Sequence, residues 1–84
     1  MKIHILYFAR LRETLGTAKE TLEIPAPATL ALLLDTLRGR GGMWAEALAV
    51  GRNFRLARNQ DLCPADTVLA DGDEVAIFPP VTGG

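Results

Sequence analysis

The sequence holds one cysteine, Cys63, and one histidine, His4. A lone thiol forms no internal disulfide, and these two residues cannot assemble a zinc ligand set. Charge excess of either sign is also missing. Nine Lys and Arg against ten Asp and Glu leave a formal net charge of −1, which gives no basic face for nucleic acid and no polybasic anchor for a membrane. Apolar runs are short, and none approaches the length that spans a bilayer. The opening Met1-Lys2-Ile3-His4-Ile5-Leu6 has no small-residue cleavage site behind its apolar residues. The expectation is therefore a cytoplasmic protein with no metal and no bound cofactor. An 84-residue chain makes one domain with a modest core and little room for an enclosed cleft, so function through partners is favoured. What is present, 49% hydrophobic and 23% charged residues, describes a folded globule rather than a disordered adaptor.

Residues 3–8, Ile-His-Ile-Leu-Tyr-Phe, are β-branched and aromatic and read as a strand. With polar His4 facing outward, Leu6 and Phe8 share its face while Ile3, Ile5 and Tyr7 face the core. Ala9 to Leu15 suits a short helix stopped by Gly16. Lys19 to Ile24 alternates as a second strand, which Pro25 and Pro27 end. Thr29 is placed to cap a helix over Leu30 to Arg38, where Leu30, Leu33, Leu34 and Leu37 fall at helical spacing. Gly39, Gly41 and Gly42 stop it, and Met43 to Val50 reads as a shorter helical piece holding Trp44 and Leu48 against the core. Phe54 to Arg58 is a third strand, Asn59-Gln60-Asp61 a turn, Thr67 to Leu69 a short strand, and Asp71-Gly72-Asp73 a tight turn before a strand over Glu74 to Phe78.

This order, a hairpin, then a helix, then shorter strands, fits an α+β fold: a ubiquitin-like β-grasp with one main helix on a mixed sheet. The first and last strands then lie side by side at its centre, and residues 1–78 form the domain. If Glu74 faces outward, so do Ala76 and Phe78, while Val75 and Ile77 face the core. Leu6, Phe8, Ala76 and Phe78 then make a contiguous apolar patch on the uncovered side of the sheet, the kind of patch that marks a partner site. The competing expectation is that a second short helix or the chain's own loops cover these residues.

Residues 79–84 read as an extended tail. Pro79 and Pro80 fix φ and stiffen its stem. Gly83 and Gly84 have no side chain, so the backbone can thread a slot too narrow for other residues and present an unhindered carboxylate. At about 3.3 to 3.6 Å per residue, the six residues after Phe78 reach roughly 20 Å. A diglycine end arises by chance in roughly 0.5% of chains at average glycine usage, so it gains meaning only from its surroundings.

Tyr7-Phe8-Ala9-Arg10-Leu11-Arg12-Glu13, Arg58-Asn59-Gln60 and, above all, the run from Asp71-Gly72-Asp73-Glu74 through Phe78-Pro79-Pro80-Val81-Thr82-Gly83-Gly84 resemble the small-subunit family of molybdopterin synthase, the sulfur carriers of molybdenum-cofactor biosynthesis. The likeness spans the whole chain. It implies that the Gly84 carboxylate is adenylated by an activating enzyme related to those of ubiquitin, with ATP used by that enzyme, and then becomes a thiocarboxylate with sulfur from a donor protein. It implies a tail, Pro79, Pro80, Val81, Thr82 and Gly83, that inserts into a large synthase subunit within a heterotetramer. There the sulfur passes to cyclic pyranopterin monophosphate. Phe8 and Phe78 are then the main anchors of the partner surface, Leu62 lies at its edge, and Arg12 fits a polar rim. Acid, base and pterin pocket are expected on the large subunit.

Three other readings stay open on the sequence. A ubiquitin-like modifier would join Gly84 to lysines and leave diglycine remnants after digestion. A thiamine-pathway sulfur carrier shares the diglycine end but serves another acceptor, and the Phe-Pro-Pro-Val-Thr-Gly-Gly ending weighs against it. A plain interaction domain would keep its function without Gly84. The internal Leu37-Arg38-Gly39-Arg40-Gly41-Gly42 is explained by a helix stop and a loop. Cys63 reads as a small structural hydrophobe.

Overall fold

A computed structural model of the chain describes residues 1–80. The chain runs β1 (Lys2–Tyr7), α1 (Ala9–Leu15), β2 (Lys19–Glu23), α2 (Leu30–Arg38), α3 (Gly42–Ala47), β3 (Arg55–Arg58), β4 (Asp61–Leu62) and β5 (Glu74–Phe78). The strands form one sheet in the order β2-β1-β5-β3-β4. β1 and β5 are parallel neighbours, and the other pairings are antiparallel. This is the mixed-sheet β-grasp, with α2 as the main helix across one face.

Parity decides which side chains meet that helix. Ile3, Ile5 and Tyr7 of β1 and Val75 and Ile77 of β5 are fully or almost fully buried. They join Leu30, Leu33 and Leu37, all at 0% exposure, along the inner stripe of α2. Thr29 caps that helix, its Oγ1 accepting from the Leu32 amide at 3.2 Å. Each fully buried Leu or Ile contributes roughly 1.5–3 kcal/mol over its exposed state, so this layer dominates the stability of a small domain. Gly16 stops α1 in the left-handed region at φ 74, and its amide donates to the Arg12 carbonyl at 3.0 Å.

A polar and aromatic cluster pins the glycine-rich loop after α2 to the hairpin. The Tyr7 hydroxyl donates to Glu20 Oε2 at 2.8 Å, and Arg40 grips both Glu20 oxygens at 2.9 and 2.6 Å. The Arg40 guanidinium lies 4.4 Å from the centre of the Trp44 ring, which meets Tyr7 edge-on. Hydrogen bonding to Arg40 pulls the Glu20 carboxyl below its ordinary value. Burial first, then the Glu20 carboxylate, hold the Tyr7 hydroxyl protonated far above the usual phenol range. Trp44 is half-buried at the core margin while Leu48 is fully buried, so α3 packs as expected although it ends at Ala47.

Three local expectations are corrected. Asp61 is not a turn residue: it opens β4, which pairs with β3 through Arg58↔Asp61 and Ala57↔Leu62. The turn is confined to Asn59 and Gln60, both left-handed at φ 51 and 73. Such backbone suits asparagine, whose side chain here donates to buried Asp73 at 3.0 Å and accepts from the Glu74 amide at 2.9 Å. Thr67 to Leu69 forms no strand of its own but a single bridge, Thr29↔Val68, because the segment crosses the start of α2 instead of joining the sheet. Phe54 also falls outside β3.

Candidate functional site

The face of the sheet turned away from α2 carries one apolar row across four strands. Leu6 of β1 is in register with Ala76 of β5, Ala76 with Ala57 of β3, and Ala57 with Leu62 of β4. Lys19 of β2 closes the row beside Leu6. Two methyl side chains in the middle, Ala76 and Ala57, form a low floor between larger neighbours. The result is an open trough of about 810 Å³ walled by Leu6, Phe8, Leu62, Phe78, Pro79 and Pro80.

Phe8 and Phe78 meet edge to face, their ring centres 6.5 Å apart, a favoured aromatic geometry. β1 and β5 run in the same direction, so both rings emerge at the same end of the sheet. The Phe8 amide donates to the Ile77 carbonyl at 3.2 Å, which ties the exit of β1 to the end of β5. The strand does not continue past Phe8: Ala9 turns at φ 52 and starts α1, leaving Phe8 at the corner. Phe8 is 44% and Leu62 72% exposed, so neither a helix nor a loop among the described residues covers this face. Large apolar side chains left open side by side are what a partner-binding surface requires.

The structure gathers Phe8, Leu62, Phe78, Pro79 and Pro80 around one trough. Arg12 sits apart from the trough lining, exposed in the middle of α1. Val81, Thr82, Gly83 and Gly84 lie outside the described residues. Ala57 is a floor residue that the sequence reading passed over. The alternation Arg55-Leu56-Ala57-Arg58 puts it on the outer face beside Arg55, but only the register with Ala76 shows that it completes the row. Glu74, half-buried at the opposite end of β5, is the one acidic side chain in the lining. Among the described residues, no group of His, Cys, Asp or Glu is placed to hold a metal ion, and no helix is long and apolar enough to cross a membrane. Cys63 is half-buried against the core, outside the trough lining.

Comparison with known proteins places this geometry in a group. The sequence model of the ThiS family matches residues 5–84. The molybdopterin synthase sulfur carrier subunit of Escherichia coli is 43% identical over 98% of this chain and 99% of its own. The subunit of the same name from Haemophilus influenzae is 40% identical over the same shares. Among solved structures, the crystal structure of SAMP1, small archaeal modifier protein 1, from Haloferax volcanii superposes with a TM-score of 0.82 at 27% identity, covering both chains fully.

Proposed function

The chain belongs to the ThiS family, alongside the molybdopterin synthase sulfur carrier subunits, and on that premise we propose that it is the sulfur-carrying small subunit of a molybdopterin synthase. The observation that carries this reading is the apolar trough whose wall continues into Phe78, Pro79 and Pro80. The docking surface includes Pro79 and Pro80, the root of the terminal segment, so a partner seated on the trough also meets the point where that segment begins.

The chemistry proceeds at Gly84. A free terminal carboxylate, with an ordinary pKa of about 3.3 to 3.7, is ionised near neutral pH and is a poor electrophile. Adenylation with ATP on an activating enzyme makes AMP the leaving group. Sulfur delivered by a donor protein at the sulfide level then attacks the acyl carbon as the nucleophile, and the bond to AMP breaks to leave the thiocarboxylate. The loaded segment inserts into the large subunit, within a heterotetramer, and gives its sulfur to cyclic pyranopterin monophosphate. A dithiolene contains two sulfurs, so carriers act in succession. This chain supplies the trough, the stem and the acyl terminus. Acid–base groups and the pterin pocket belong to the large subunit, and the setting is the cytoplasm.

The likeness to a small archaeal modifier supports a second reading, in which Gly84 is joined to lysines of other proteins. Both readings begin with adenylation and part at the product. Intact mass after co-expression with an adenylating enzyme and a sulfur source decides between them. A gain equal to one sulfur-for-oxygen exchange supports the carrier. An unchanged mass together with diglycine remnants on target lysines overturns it in favour of the modifier.

A further inference from the structure

A second groove, of about 710 Å³, lies on the helical side of the molecule between α1, α3 and the loop at residues 51–53. Its floor is apolar, made by Leu11, Met43 and Ala47, and the charged groups of its lining are the guanidiniums of Arg10 and Arg52 against the single carboxylate of Glu46. Arg10 takes part in none of the ion pairs among the described residues. Arg52 reaches Glu46 at only 3.7 Å, with both side chains largely exposed. Such a pair is weak in water and yields readily to a better partner. Met43 is 59% exposed, although a large apolar side chain gains by being covered.

The charge around this groove runs against the balance of the whole chain, which is −1. At this end Arg10 and Arg12 follow the exit of β1, Arg52 precedes β3, and Arg55, on the trough-side face, is in register with Phe78, four cations against the carboxylates of Glu13 and Glu46. Asp61, Asp71, Asp73 and Glu74 cluster at the opposite end, where β5 begins, against the two cations Lys2 and Arg58. The domain is therefore polarised in net charge along its central strands, with the excess of cations at the end where β5 finishes. Pro79 is a wall of both grooves, so an occupant of the second one sits against that departure point and leaves the apolar trough free.

We propose that the groove between α1 and α3 is a second docking site, for an acidic segment of a partner protein that presents an apolar side chain between carboxylates. The apolar side chain covers Leu11, Met43 and Ala47, and the carboxylates meet Arg10 and Arg52 in bidentate geometry. Such a site lets a second protein hold the domain while the trough is engaged, and draws that protein to the basic end before contact.

The test uses the full chain, isotopically labelled, titrated with a blocked peptide that has Leu-Phe at its centre and Glu-Asp on either side. Saturable amide shifts confined to residues 10–14, 43–47 and 51–53 are expected, with binding that weakens as salt rises. The double variant Arg10→Glu/Arg52→Glu should lose affinity by about tenfold or more, since like charges then face each other. Both arginines are exposed, so the variant keeps its fold, checked by its amide spectrum. Shifts centred on Leu6, Ala57, Leu62 and Ala76, unchanged affinity in the double variant, or no saturable binding would each overturn the proposal. So would salt-sensitive self-association of the chain alone that occupies the groove with the acidic end of a second copy.

Discussion

Truncating Phe8 to alanine separates a partner surface from a structural aromatic. Phe8 is 44% exposed, and a phenylalanine side chain offers up to roughly 200 Å² for burial, so about 90 Å² stay open to solvent. Covering that area at ~25 cal/mol per Å² is worth about 2 kcal/mol, or roughly thirtyfold in Kd. The side chain's contribution to folding is smaller than that of a core residue. Its backbone bonds to Ile77 and to the first turn of α1 survive the substitution. What is lost is the edge contact with Phe78 and the covered half of the ring, about 1–2 kcal/mol, against the 3–5 kcal/mol of a fully buried Phe→Ala. Calorimetric titration of Phe8→Ala against the large synthase subunit, alongside urea denaturation of the carrier alone, reads both quantities. The expected pattern is a large loss of affinity with a modest loss of stability. A folded variant that binds the large subunit as tightly as its parent would refute the assignment of this face.

Deleting Gly84 should abolish the sulfur-for-oxygen mass gain and leave the thermal midpoint unchanged, because the sheet and core described lie within residues 1–80; mass gain in the truncated chain would remove Gly84 from the chemistry. Phe78→Asp places a charge in a contact that must exclude water, so calorimetry should show binding to the large subunit weakened by about tenfold or more in a variant that still folds. Glu20→Gln tests the Arg40 cluster. The Glu20 carboxyl is held below its ordinary 4.5, so its contribution is fully present above that pH and disappears as pH falls through the lower folded value. The variant should thus be less stable at neutral pH and converge on its parent in acid, as followed by Trp44 fluorescence; a gap constant with pH would contradict the ion pair. Asn59→Ala should cost about 1–3 kcal/mol in chemical denaturation by leaving Asp73 and the Glu74 amide short of a partner. Asn59→Gly, which tolerates the left-handed backbone, should recover only part of that loss, and full recovery would reduce Asn59 to its backbone conformation alone.

Periodicity made the core and the open face legible because polar residues on one face of each strand of the central pair set its parity. His4 and Glu74 face outward, and every alternate residue follows. The helix over Leu30 to Arg38 was readable to the residue, since cap, apolar stripe and glycine stop agree with one another. Features that depend on pairing across long stretches of chain were not. Asp61 and Leu62 lack the apolar alternation of a strand and become one only because the Asn59-Gln60 turn folds them onto β3. Ala57 gains its place in the trough floor from register with Ala76, nearly twenty residues away. The groove between α1 and α3 draws on three separate segments, none of which carries a signal alone. The same holds for the contact of Arg40 with Glu20, two residues that no spacing rule connects.

The position of β5 inside the sheet has a mechanical consequence. It is flanked by β1 on one side and β3 on the other, and the terminal segment leaves directly from its last residue, Phe78. A pull along that segment loads both ladders lengthwise at the same moment. It cannot peel the strand away one bond at a time, as it would from a sheet edge. The domain is thus built as an anchor, and force applied at the end of β5 is shared by two ladders without unravelling the strand.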